Sequence, residues 1–249
     1  MNINELWTLF TAAGKNAAII QSGDSAVLAA LDLEGRLYFA HAGQIVSRIN
    51  PEAITGQSSR AGYLNPGGDG LWPAPEGTCF GYEYPTGAWR VPAGLVNARF
   101  RLRQYSDSAM TLSAEIDLIN NQGLGIPTVF TREVSVSCEA GKTVITQNDR
   151  IEYIGSRTLK AGEFLLAPWS LAQFAVTEES RAAFELPSGS VIRDLYSPSA
   201  ANRTLHGTRV ELRPDKRKRI QLALDEDVKA VELTLPEAHC HIRRVAGPL

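Results

Sequence analysis

Histidine, cysteine and methionine are scarce in this chain, at four, three and two of 249 residues, and each shortage closes off a class of chemistry. Cys79, Cys138 and Cys240 lie far apart with no Cys-x-x-Cys spacing, which suggests neither a zinc ribbon nor a disulfide framework and leaves reduced thiols as the expectation. Cys79, close to Glu76, has no His or Asn identifiably paired with it and reads as a buried thiol rather than a nucleophile. His239 and His241 flank Cys240 and would share one face of a strand about 7 Å apart, but no further ligand follows, so surface histidines are expected and no metal site. There is no GxGxxG, Walker loop or GxSxG, and hence no cofactor is expected.

Charge of one sign is lacking too. A formal net charge of −2 gives no footprint for nucleic acid or an anionic membrane. The one basic run, DKRKR at 215–219, is short and has no aromatic companions, so it reads as a solvated hairpin turn or an edge-strand guard. No apolar stretch approaches the length that spans a bilayer, and the first residues lack the basic and apolar segments of a secretory signal. The expected compartment is cytoplasmic, or periplasmic where a leader has been removed.

What the chain does have is strand punctuation. Ile3, Leu6, Trp7 and Phe10 recur at helical spacing and Gly14 stands where a helix would stop, predicting one short N-terminal helix. From Ala17 onward, short β-type runs such as SAVLAALDL, RLYFAHAG, TVFTREVSVSC and KTVITQNDRIEY end at Gly, Asn, Asp or Pro, several of them alternating apolar with polar. No strand alternates with a long helix, which argues against a parallel α/β sheet. About 15 short strands predict an all-β fold, a large antiparallel sandwich or barrel. Residues 1–249 show no linker or repeat and are expected to form a single domain.

The densest stretch is Asn65 to Arg90, NPGGDGLWPAPEGTCFGYEYPTGAWR. Its glycines permit positive φ or close backbone approach, its prolines fix turns, and its aromatic rings must lie against a core or a ligand. With Asp69 and Arg90 beside Trp72, Tyr82 and Trp89, it offers flat apolar surface next to hydrogen-bonding groups, as a small-molecule site does. Glu76 follows two prolines and precedes Gly77. Desolvated among Trp72 and Tyr82, it can serve as general acid or base; as a turn carboxylate, it would accept backbone amides instead. Asp69 between glycines reads first as a turn residue. Arg132 has the strand parity of Phe130 and Val134, so it points inward and needs an acid partner or a ligand.

The GGDGLWPAPEG element, followed by the Arg132-bearing strand, Gly141, Asn148 and Pro168-Trp169, resembles the galactose mutarotase-like superfamily, particularly bacterial branches with a Gly-Gly-Asp-x-Leu-Trp-x-Ala-Pro-Glu motif. The resemblance covers roughly half the chain, Gly23 to Phe174, as judged by eye. It implies a β-supersandwich with a sugar-sized cleft on its concave side and draws Trp169 toward that cleft. Aldose 1-epimerases of the superfamily open and reclose the sugar ring with a His acid and a Glu base. None of His41, His206, His239 and His241 stands in a matching context, which favours the superfamily's non-catalytic sugar-recognition members. The expectation is a carbohydrate-binding protein with Glu76 as the candidate catalytic group and Trp72, Asp69, Tyr82, Trp89, Arg90, Arg132 and Trp169 as candidate binding residues. The alternative is a structural or protein-interaction domain whose aromatic loop is core.

Overall fold

The structure is a computed structural model that describes all residues except 60–61, 75–81, 84–85, 87, 120–123, 161–165, 216 and 248–249, and the backbone alone at 82–83. Strands account for 50% and helices for 11% of the chain, and the sheets are antiparallel, so the all-β class holds. The chain divides into two compact units, Met1–Phe174 and Ala175–Leu249. No linker in the sequence marks this division.

The first unit begins with helix α1 (Ile3–Ala12). Asn2 caps it: the Asn2 side chain accepts from the Glu5 amide at 2.9 Å while the Glu5 carboxylate accepts from the Asn2 amide at 2.8 Å. Ile3, Leu6 and Phe10 are buried, whereas Trp7, expected on the same apolar stripe, stands 44% exposed on its shoulder. Then come β1 (Ala17–Ser22), β2 (Ser25–Ala30), β3 (Arg36–His41), β4 (Gln44–Ile45), helix α2 (Pro51–Thr55), β5 (Asp69–Ala74), β6 (Tyr82–Glu83), β7 (Ala88–Trp89) and the helical turn α3 (Ala93–Val96). The long strands follow, β8 (Arg101–Tyr105), β9 (Ala109–Ile119), β10 (Gly125–Glu139), β11 (Lys142–Tyr153) and β12 (Ala167–Ala172).

One sheet runs β1-β2-β3-β5-β12, with β4 on the side of β3, and the second runs β11-β10-β9-β8. Ala140 and Gly141, both at positive φ (49° and 73°), close the two-residue hairpin between β10 and β11, as its twist requires. Strand alternation explains the layering. Ile20, Val27, Ala29 and Leu37 pack in one core with Met110, Leu112, Phe130 and Val134 of the second sheet, making a sandwich. The alternate residues, Ala26, Leu28, Ala30, Tyr38 and Ala40, pack with Ile3, Leu6 and Phe10 of α1. This double burial is why β2 reads SAVLAA with no polar alternation and is buried at every position. Leu6 and Phe10, both at 0% exposure, stabilise α1 by about 1.5–3 kcal/mol each.

The second unit holds β13 (Arg181–Glu185), β14 (Arg193–Asp194), β15 (Arg203–His206), β16 (Arg209–Leu212), β17 (Leu222–Ala223), β18 (Ala230–Leu235) and β19 (Cys240–Val245). Its main sheet runs β15-β16-β13-β18-β19, with β14 and β17 as a separate pair. One face carries Phe184, Val210, Leu235 and Cys240, all buried. The other carries an ion-pair ladder in which Glu232 takes Arg209 at 2.6 Å and lies 3.9 Å from both His241 and Arg243. His239 ends a short turn at φ 47°, ahead of β19, so it does not share a strand face with His241. The basic run at 215–219 gains a companion invisible in sequence: the Arg219 guanidinium lies 3.8 Å over the ring of Tyr196.

Candidate functional site

Within the Gly-Gly-Asp-Gly element Asp69 and Gly70 are strand, not turn. Gly67 and Gly68 lead into β5 at φ 81° and 63°. A Cβ on Gly67 would stand 2.1 Å from the Arg48 carbonyl oxygen, and one on Gly70 would stand 2.7 Å from the Arg36 Cζ, so both positions need glycine for close approach. Asp69 pairs with Leu37 of β3 and is fully buried, which corrects its reading as a turn residue. Alternation then sorts the motif. Asp69 and Leu71 share one parity and Gly70 and Trp72 the other, although the Trp72 ring still packs in the same core cluster as Leu71.

On the core face Arg132 is the hub, at 0% exposure. Its cross-strand partner is Asp149, and the pair is bidentate, Nε to Oδ1 at 2.9 Å and Nη2 to Oδ2 at 3.0 Å. Nη1 donates to the carbonyls of Gly35 (3.0 Å) and Asp69 (2.7 Å), and Nη2 also donates to the Asp69 carboxylate. All five guanidinium N–H groups are thus bonded within the protein. Burial alone would lower the Arg132 pKa, but Asp149 and Asp69 outweigh it and hold the group above the usual guanidinium range. Gln147 donates to Asp69 at 3.0 Å and lies 2.7 Å from the Ser170 hydroxyl, which itself bonds Asp69 at 3.2 Å. This cluster ties β3, β5, β10, β11 and β12 together.

On the opposite face a second buried arginine organises the aromatic residues. Glu34, held at φ 58°, is 2% exposed, and its Oε2 accepts from Arg36 Nε at 3.1 Å, Arg36 Nη2 at 2.7 Å and the Tyr63 hydroxyl at 3.0 Å. Tyr63 in turn accepts from Arg36 Nη2 at 2.8 Å. Burial pushes the Tyr63 phenol far above its ordinary value, so it keeps the proton it donates to Glu34. Arg36 lies 5.8 Å from the Trp72 ring centroid. Trp72 and Trp89 stack at 5.9 Å with planes 7° apart, and Tyr63 closes on both at 5.9 Å with steeper angles. Trp72 is 8% exposed, Trp89 40%. The result is an indole ledge open on one side and backed by a neutralised ion pair.

The structure brings some of the expected residues together and separates others. Trp72 and Trp89 form the ledge, and Trp169 is the cross-strand neighbour of Trp72, half-buried on the same face. Arg132 and Asp69 have the other strand parity, while Trp72 and Trp169 pack in the same core cluster as Phe130 and Val134, which flank Arg132 in β10. Arg90 is half-buried next to Trp89. Tyr82 pairs through its backbone with Trp89; its side chain, Glu76 and Cys79 lie outside the described residues. Sequence reasoning missed Glu34, Arg36, Tyr63, Gln147 and Asp149. Gln147 and Asp149 carried a usable signal, since both have the inward parity of Ile145 and Ile151. Among the described residues no group of three side chains is arranged to hold a metal ion, and no helix is long and apolar enough to cross a membrane.

Comparison with protein-family models, with curated proteins and with solved structures found no match.

Proposed function

We propose that the first unit binds a carbohydrate on the Trp89–Trp72 ledge. The observation that carries this reading is the parallel indole pair whose outer ring is 40% exposed. A loop serving only as core would bury both rings, because each large ring left in water forfeits its transfer free energy. The C–H face of a pyranose lies flat against an indole, and the polar groups around the ledge are fixed before any ligand arrives, which lowers the ordering cost of binding. The likeness of the GGDGLWPAPEG element to galactose mutarotase-like proteins supports the same ligand class.

The test is titration of intrinsic tryptophan fluorescence with hexoses, pentoses, uronates and their phosphates. A saturable change is expected with at least one sugar, and Trp89→Ala should weaken that binding tenfold or more, equivalent to about 1.4 kcal/mol. Silence across the panel, or unchanged affinity in Trp89→Ala, would overturn the reading.

A further inference from the structure

Tyr63, Trp72 and Trp89 are in mutual ring contact, each pair of centroids 5.9 Å apart. The set runs from solvent inward: Trp89 is exposed, Trp72 is buried, and Tyr63 is half-buried against the Glu34–Arg36 pair. Indole and phenol rings give up a single electron more readily than other aromatic side chains, and rings in contact exchange one fast. What separates these three is where a proton can go, because an oxidised indole or phenol is a strong acid. Trp72 Nε1 is buried with no hydrogen-bond partner, so an indole cation radical there keeps its proton and its charge. That charge stands 5.8 Å from the Arg36 guanidinium, which repels it. Tyr63 differs on both counts. Its hydroxyl donates to Glu34 Oε2 at 3.0 Å, a carboxylate able to take the proton, and the radical left behind is neutral. Tyr38 supplies the contrast: it is buried too, but it donates to the Pro66 carbonyl, which is no base, and its ring meets Phe10.

We propose that the Trp89–Trp72 pair is a one-electron relay that passes an oxidising equivalent from solvent to Tyr63, with Glu34 as the proton acceptor. A diffusing one-electron oxidant, of the class of the carbonate radical anion, takes an electron from Trp89 at the surface and is reduced to carbonate. Tyr63 then gives one electron to the indole pair and its phenolic proton to Glu34 Oε2. The indoles return to their resting state, and the sequence ends in a neutral tyrosyl radical beside a protonated carboxyl, with no bond between heavy atoms broken. Arg36 Nη2, 2.8 Å from the Tyr63 oxygen and 2.7 Å from Glu34 Oε2, donates to both groups before and after the step. An electron returned along the same path brings the proton back from Glu34. The relay spares the outer ring, because an oxidised indole left in contact with water and oxygen is hydroxylated irreversibly. This inference does not depend on what the ledge binds.

The experiment is flash photo-oxidation of the full chain by ruthenium(III) tris-bipyridine, an outer-sphere oxidant too bulky to enter the protein, followed by transient absorption and by EPR of frozen samples. Every chain carries Trp7→Phe, Tyr105→Phe and Tyr196→Phe, which removes exposed rings outside the relay. In this background the indole radical should decay as a long-lived tyrosyl radical rises, more slowly in D2O because the proton moves with the electron. Tyr63→Phe should lose that tyrosyl signal and leave the indole radical long-lived, whereas Tyr38→Phe should behave as the background chain. Trp89→Ala should form the tyrosyl radical in half the yield or less, and thermal melting confirms that each variant is folded. A tyrosyl radical undiminished in Tyr63→Phe, or undiminished in Trp89→Ala, overturns the relay. Should Tyr63→Phe fail to fold, Tyr63→3-fluorotyrosine, introduced by codon suppression, decides: the tyrosyl spectrum must show fluorine hyperfine splitting, and its absence overturns the inference. A background chain that forms no tyrosyl radical also overturns it, while the sugar titration stands or falls separately.

Discussion

Arg132 of β10 and Arg36 of β3 belong to different sheets, and both are wholly buried and ion-paired, yet their surroundings differ. Arg132 faces two carboxylates and two carbonyls, with every N–H bonded, and its surroundings are sealed between sheets. Arg36 faces one carboxylate, a phenol and a carbonyl, with an indole beside it and a half-exposed ring one layer further out. Burial of a charged group by itself therefore says little about function. What separates the two is whether the next layer reaches solvent.

The largest expected effect comes from Arg132→Met. It strands Asp69 and Asp149 without their cation, and losing one partner of a buried pair costs about 3–5 kcal/mol. Urea denaturation should show this as a fall in midpoint. Sugar affinity at the ledge should stay at the parent value under conditions where the variant is folded. A parallel loss of affinity would break the separation of the two arginine clusters.

Gly70→Ala strikes the other arginine. The new Cβ at 2.7 Å from the Arg36 Cζ has to displace a guanidinium held by Glu34, Tyr63 and Gly67, an overpacking cost of about 1–3 kcal/mol. Because Arg36 backs Trp72, the tryptophan emission spectrum should shift as well. A stable variant with an unchanged spectrum would show that Arg36 is loosely packed. Trp89→Ala should cost stability about 1–3 kcal/mol, the worth of its two aromatic pairs, while weakening sugar binding tenfold or more. A variant that stays folded while losing affinity is the signature of a ledge rather than a core.

The smallest effect is expected in the second unit, where the ion pairs are exposed. The Arg209 hydrogen bond holds Glu232 below the usual carboxylate range, and the Ser199 hydroxyl and the Val191 amide do the same for Asp194 and Asp225. A carboxyl group whose folded pKa is depressed contributes stability above its unfolded pKa and loses it as pH falls through the folded value. The second unit should therefore soften only below about pH 4, and added salt should shrink the effect because these groups are open to solvent. Amide hydrogen exchange across that range checks it. Unchanged exchange in the second unit across that range would contradict it.

The sequence by itself determined whatever depends on neighbouring residues. The 3.6-residue spacing of Ile3, Leu6 and Phe10 made α1, the two-residue alternation of β10 turned Arg132 inward, and short runs ended by turn formers made the chain all-β. Tertiary structure alone decided what depends on register and on the stacking of sheets. Asp149 meets Arg132 across 17 residues and Asp69 across 63, each brought by strand pairing or by packing of one sheet on another. The aromatic stretch was legible as a concentration of rings, but which faced the core and which the outside was fixed by the pairing of β5 with β3 and β12. Side-chain parity within a strand is a local property of the backbone. The face of the molecule to which that parity is assigned is set only when distant strands join.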